Sequence, residues 1–477
     1  MLLEPYLRQC RHQPEAIALV EHNRSLTYGQ LLSQAQAIAA RLQEMGVKPG
    51  QPVAIHLERG IDATPALFGV LLAGGCYVPL DLKNPTPRLS FIVTDAQVSV
   101  VLGLGVRPTW LTEIRWLDIG ACSEGRPLPV KIQATSLAAI LYTSGSTGQA
   151  RGVALSHGAV ATFALWAADL VGLQANDRIA GSTPFFFDLS TFDLYAVLGR
   201  GASLHFLPSA LTMAPARLSA WLKEQAISGW YTVPSLLAFL AYKGNLEQTS
   251  LDSLRFLLFA GEVFPSPALI NLAASLPQTD LYNFFGPTET NVCCYWPVDR
   301  AKLAGNLPIP IGLPAAAYEL RIHAETGELW ARGPGLASGY WGDGRLQPFL
   351  NQDGWYATGD KVSRIDGEYH FHGRLGRMIK CSGYRVEPAE IEASVNAMAG
   401  VRGCAVVGVD DPVTGQRLAL ALALEPPVTP ADIRNALARQ FPPYMQPKHC
   451  IVLEELPHLP NGKLDYQRVY ALLDAKK

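Results

Sequence analysis

Leu141-Tyr142-Thr143-Ser144-Gly145-Ser146-Thr147-Gly148-Gln149-Ala150-Arg151-Gly152 continues the apolar run Leu137-Ala138-Ala139-Ile140. A short apolar run closed by turn residues reads as a buried strand, and here it ends in small hydroxyl residues interleaved with glycine. Glycine permits positive φ and close approach, so backbone N–H groups and hydroxyls can converge on phosphate oxygens. The bland alternative, an ordinary flexible turn, is as good a reading of such a run taken alone. No Gly-Lys-Ser/Thr follows, so this is not a Walker loop.

Outward from it, Val53–Leu57, Gly229–Val233 and Arg255–Ala260 repeat the pattern of short apolar runs closed by turns. Between such runs lie amphipathic segments. From Gly29 to Met45 apolar residues recur near the helical period, with Thr27 placed to cap and Gly46 following. Strands alternating with helices and ending in Gly- and Ser-rich loops predict an α/β fold with ligands at the carboxyl ends of the strands. After about residue 300 the rhythm shifts to dense glycine and short alternating strands (ELRIHA, GELWARG, GEYHFHGR), which predicts a β-rich antiparallel subdomain. The last stretch has strands at CAVVGV, LALALAL and CIVLEEL, with a helix starting at Pro430 behind Thr429. The expectation is a large N-terminal domain of mixed sheets flanked by helices, residues 1–375, and a small α+β domain, residues 376–477.

The chain has 477 residues, enough for a sizeable core, and a net charge of −2 with no like-charge run, which argues against a nucleic-acid partner. The uncharged stretch 63–80 is broken by Pro65, Gly74, Gly75 and Pro79, so it reads as a buried helix running into a strand and not as a membrane span. Glu4, Pro5 and Arg8 stand where a signal peptide needs an apolar core, and a cytoplasmic protein without a membrane partner is expected. Eight cysteines without a CxxC pair argue against a disulfide framework or a structural zinc site.

Three further clusters carry polar chemistry. Asn283-Phe284-Phe285-Gly286-Pro287-Thr288-Glu289 offers an amide, a hydroxyl and a carboxylate in a turn; beside a phosphate site Glu289 can hold Mg²⁺, and alone the turn can simply be capped. Tyr356-Ala357-Thr358-Gly359-Asp360 places an acid where it can accept ribose hydroxyls or cap its own turn. Pro460-Asn461-Gly462-Lys463 puts a lysine directly after an Asn-Gly turn, where a solvated surface lysine is the plain alternative.

In order along the chain, TSGSTG, GPTET, YATGD, the Gly373-Arg374…Lys380…Gly383-Tyr384-Arg385…Glu387 stretch and PNGK resemble the core motifs of the adenylate-forming (AMP-binding) superfamily, specifically the adenylation domains of nonribosomal peptide synthesis. The resemblance runs from Leu26-Thr27-Tyr28 to Lys463. It implies ATP and Mg²⁺ as cofactors, a mobile C-terminal domain, and two half-reactions. In the first a carboxylic acid and ATP give an acyl-adenylate and pyrophosphate; in the second a pantetheine thiol takes the acyl group. By resemblance, Thr143 with Ser144, Gly145, Ser146, Thr147 and Gly148 holds the β and γ phosphates, Glu289 holds Mg²⁺, and Asn283 with Phe285, Gly286 and Thr288 forms the adenine side. Asp360 and Arg374 hold the ribose, and Lys463 bridges the attacking carboxylate and the α-phosphate, where a fixed cation offsets the repulsion between two anions. Three departures stand out: Ala150-Arg151-Gly152 replaces the usual Pro-Lys-Gly, Gly376 replaces the acidic hinge residue, and Leu459 replaces a common threonine.

In amino-acid-activating members an Asp after an aromatic residue binds the α-ammonium; Asp188, in Phe186-Phe187-Asp188-Leu189, matches it, with helix capping as the structural alternative. The side-chain pocket positions correspond to Leu189, Phe192, Ser235, Leu258, Ala260, Phe284, Val292 and Cys293, none of them charged, so a charged substrate side chain would be left unpaired. That lining is similar to enzymes that load L-proline onto a carrier protein in pyrrole and alkaloid toxin biosynthesis. D-alanine:carrier-protein ligases are the second resemblance; an acyl-CoA-synthetase-like ligase and a non-catalytic nucleotide-binding homologue are the readings from other classes. Little sequence follows Lys463, so the phosphopantetheinylated carrier is expected to be a separate protein.

Overall fold

The structure is a computed structural model that describes residues 2–143, 150–303, 308–381, 383–411, 415–458 and 464–475. Ser144, Gly145, Ser146, Thr147, Gly148, Leu459 and Lys463 lie outside the described residues.

Two large sheets carry the N-terminal domain. One has eight strands and contains Pro52–Ile55, Cys76–Pro79, Leu137–Thr143 and Arg151–Ser156; the other has nine and contains Gly229–Thr232, Phe256–Phe259 and Asp280–Phe285 as parallel neighbours. Pro52–Ile55, Cys76–Pro79, Gly229–Thr232 and Phe256–Phe259 are buried along their length, which is why they read as unbroken apolar runs instead of alternating ones. Stretch 63–80 is a helix, Ala63–Leu72, buried from Ala63 to Leu71, followed by the strand Cys76–Pro79. It packs on the amphipathic helix Tyr28–Glu44, which starts at a capping box: Gln30 N–H donates to Thr27 Oγ1 at 3.2 Å and Thr27 N–H donates to Gln30 Oε1 at 2.9 Å. No helix among the described residues is long and apolar enough to cross a membrane.

The β-rich part is a four-stranded antiparallel sheet of Glu319–Ile322, Glu328–Arg332, Tyr356–Ile365 and Glu368–Arg374. The C-terminal domain is built on Val401–Asp411, Gly415–Leu424 and His449–Val452. Alternation along the first two strands divides its core: Cys404, Val406 and Leu420 face one cluster, Ala405, Val407 and Ala421 the other. Helix Pro430–Gln440 begins behind Thr429, whose side chain caps it. The expected strand CIVLEEL is shorter than its apolar run: it ends at Val452, because its parallel pairing with Ala419–Leu422 spans four residues and the chain then turns. A short hairpin, Ile379–Cys381 with Tyr384–Val386, packs Ile379 and Val386 into the C-terminal domain's core and reaches back to the N-terminal domain.

Candidate active site

The strand ends converge. Leu137–Thr143 delivers Thr143, Phe256–Phe259 delivers Ala260 and Gly261, and Asp280–Phe285 runs into Gly286-Pro287-Thr288-Glu289. These meet around a cavity whose lining includes Thr143, Asp188, Leu189, Ala260, Gly286, Thr288 and Arg374. Thr143 and Arg374, 231 positions apart in the chain, therefore share one space, at the carboxyl ends of parallel strands.

Glu289 is fully buried. Its Oε1 accepts the Tyr340 hydroxyl at 2.9 Å, and Arg385 Nη1 lies 3.2 Å from both oxygens. Burial pushes this carboxyl up, but the Arg385 guanidinium, a backbone N–H and the Tyr340 hydroxyl outweigh it and hold the group below its ordinary value. Arg151, the departure from Pro-Lys-Gly, pairs with Thr143 across the strands and stacks on the ring of the same tyrosine, 4.4 Å from its centroid. Among the described residues no group of three or more His, Cys, Asp or Glu gathers as a metal cage. One ionised carboxylate suits a cation that takes its other ligands from phosphate oxygens and water, the habit of Mg²⁺.

Asp360 is buried and pairs with Arg374 across the antiparallel strands, Arg374 Nη1 donating to Oδ1 at 2.7 Å. Arg374 lines the cavity; Asp360 stands behind it. Asn283 is tied back, its Nδ2 donating to the Pro310 carbonyl at 2.8 Å, and Phe285 packs on Phe371 with Lys380 Nζ 5.3 Å from its ring.

Asp188 sits in a turn closed by Thr191, whose N–H and hydroxyl both donate to the Asp188 carbonyl, at 2.9 and 2.6 Å. Its side chain does not cap the next helix, Phe192–Val197, which has no side-chain cap. Burial raises the Asp188 carboxyl to about 6, against the opposing pull of the Thr288 hydroxyl and the Leu189 N–H. Asp188 is in no ion pair among the described residues. Of the expected pocket residues, Leu189 and Ala260 line this cavity, and Ser235 lines a second that shares Asp81, Phe186, Phe187, Leu189, Gly383 and Tyr384 with the first. Phe192, Leu258, Phe284, Val292 and Cys293 are buried and line neither; the Phe192 and Phe284 rings pack edge-on against Tyr231, 5.8 and 5.5 Å between centroids. Tyr231 and Asn291 line the cavity without having been singled out in the sequence. Lys380 and Arg385 stand in the Gly-Arg…Gly-Tyr-Arg stretch, and that motif was their only signal. Gly376 lies between the strand Glu368–Arg374 and the hairpin, with nothing within 4 Å of where a Cβ would stand.

Fold and site define an adenylate-forming enzyme, and the chain belongs to the AMP-binding enzyme family: residues 6–341 match that family's model and residues 390–463 match the AMP-binding enzyme C-terminal domain. Among curated proteins it is 36% identical over 488 residues to an L-proline--[L-prolyl-carrier protein] ligase of Streptomyces coelicolor, covering 93% of this chain and 91% of that one. It is 34% identical over 493 residues to the enzyme of the same name from Pseudomonas fluorescens, covering 98% of each. Among solved structures, the amide bond synthetase McbA from Marinactinospora thermotolerans superposes with a TM-score of 0.87 at 23% identity, over 98% of this chain and 99% of that one, a likeness of fold.

Proposed function

We propose that this chain is an ATP-dependent, AMP-forming ligase that activates L-proline as prolyl-adenylate and passes the prolyl group to the phosphopantetheine thiol of a carrier protein, in the cytoplasm where ATP is at hand. The observation that carries the reading is Asp188: a buried carboxylate in no ion pair among the described residues, set beside Leu189, Ala260 and Tyr231 in a cavity that also reaches Thr143. A secondary ammonium supplies the missing partner by a charge-assisted hydrogen bond, and the ring methylenes meet uncharged walls. The names of the two curated relatives agree with this choice.

In the first half-reaction Thr143 and the loop after it cradle the β and γ phosphates, and Arg374, with Asp360 behind it, receives the ribose. Glu289 would hold Mg²⁺, which would supply charge neutralisation to the departing pyrophosphate. The substrate carboxylate is already ionised, so positioning and electrostatics suffice and no acid–base residue is required. In the second, the thiol sulfur attacks the prolyl carbonyl carbon, the bond from that carbon to the bridging oxygen breaks, AMP leaves with that oxygen, and the thiol proton passes to solvent. The hairpin, with Gly383 and Tyr384 lining both cavities and Arg385 the first, suits this second step, with the second cavity as the route of the pantetheine arm. The boundary between the two domains is placed at residues 375 and 376, with Gly376 as the hinge.

Incubation with ATP, L-proline and a phosphopantetheinylated prolyl-carrier protein should add one prolyl group to the carrier by intact mass, and none when ATP or the pantetheine arm is left out. Loading that ignores proline would defeat the assignment.

A further inference from the structure

Glu262 follows the strand Phe256–Phe259 in the turn Ala260-Gly261-Glu262, and its carboxylate accepts two backbone N–H groups from opposite sides. Oε2 accepts Ser235 N–H at 2.8 Å, one of the donors that lack an intrahelical partner at the start of the helix Pro234–Lys243. Oε1 accepts Gly383 N–H at 2.5 Å, in the turn of the C-terminal hairpin. That turn is seated closely: Gly383 has φ +82°, and a Cβ there would lie 2.7 Å from Val233 Cγ1. Beyond it, the Tyr384 ring stands 4.9 Å from that of Phe187, the neighbour of Asp188, and Arg385 reaches Glu289.

We propose that Glu262 is a positioning residue for the transfer half-reaction: it docks the hairpin turn through Gly383 and so sets how Tyr384 and Arg385 face the acyl group. The inference rests on the reading that this hairpin arrangement serves the transfer. The Ser235 bond lies within the N-terminal domain and persists wherever the C-terminal domain stands, so it holds the carboxylate aimed. The Gly383 bond exists only when the hairpin is docked, so its charge-assisted strength favours that arrangement alone.

The test is Glu262→Gln in the full chain. The amide oxygen still serves Ser235 N–H, but the NH₂ then faces Gly383 N–H, donor against donor. Pyrophosphate exchange with L-proline should stay within about threefold of the parent, while transfer to the carrier slows by about tenfold or more, the loss of one hydrogen bond to a charged group. With a non-hydrolysable prolyl-adenylate analogue bound, amides in 379–386 should exchange with deuterium faster in the variant while those in 234–243 keep their rate. Glu262→Ala should give the same division, larger. Equal loss in both half-reactions, or unchanged transfer, overturns the proposal. If the parent protein loads no carrier, that failure belongs to the carrier reading, and the hairpin amides decide: faster exchange supports docking through Glu262, unchanged exchange overturns it.

Discussion

Asp188 couples stability and binding through one proton. Its carboxyl is raised from 3.8 to about 6, with burial the main cause. The folded chain therefore holds that proton more tightly than the unfolded chain, so the associated stability is full below 3.8 and is lost as pH rises through 6. At pH 8 the ionised group weighs on the unliganded protein by on the order of 3 kcal/mol. Asp188→Asn should accordingly melt higher than the parent at pH 8, with the difference shrinking toward pH 4. The same variant should show no pyrophosphate exchange with any amino acid, because the ammonium has lost its partner. For the parent, binding needs the ionised form, so the apparent KM for proline should rise as pH falls below 6; a flat KM from pH 8 to 5 contradicts the role given to Asp188. That an acid follows the aromatic pair Phe186-Phe187 was legible in the sequence. What was not legible is depth: Phe192 and Phe284 are expected as pocket residues by resemblance, yet they line neither cavity and their rings pack on Tyr231, which does line the first and is brought beside Phe284 by the pairing of three strands.

At the scale of elements, runs and turns that are contiguous in sequence were readable, and elements that act across distance were not. Helix Tyr28–Glu44 with its Thr27 cap, the strand Leu137–Thr143, and the helix behind Thr429 all carry their signals within a few residues. Tyr340 carries none, because it reaches Glu289 only through the antiparallel pairing of Gly339–Gly342 with the strand Arg151–Ser156. Glu262 is hidden for the same reason: its second partner lies 121 residues away in the hairpin. The short link from Arg374 to Ile379 is where the backbone must change if the hairpin is to enter and leave. Gly376→Pro fixes φ and removes an N–H there, so exchange should survive while carrier loading collapses. Loading at the parent's rate would place the hinge elsewhere.

The whole molecule is two domains sharing one site, and the division of labour between them is the testable content. Lys463→Ala should slow adenylate formation by two to three decades, about 3–4 kcal/mol, the range seen when one charge-assisted contact to a transition state is removed. Transfer from supplied prolyl-adenylate should be nearly unaffected, and equal loss in both halves would contradict a C-terminal domain that presents different residues to each step. Substrate identity is the central claim, and amino-acid-dependent pyrophosphate exchange measures it most directly, with L-proline, L-alanine, D-alanine, L-valine and salicylate compared at equal concentration. Proline offers three ring methylenes to the cavity and alanine one methyl, a difference of up to about 1.6 kcal/mol at roughly 0.8 kcal/mol per group, or about fifteenfold. The account predicts strongest exchange with L-proline; strongest exchange with D-alanine, or exchange with salicylate alone, would contradict it.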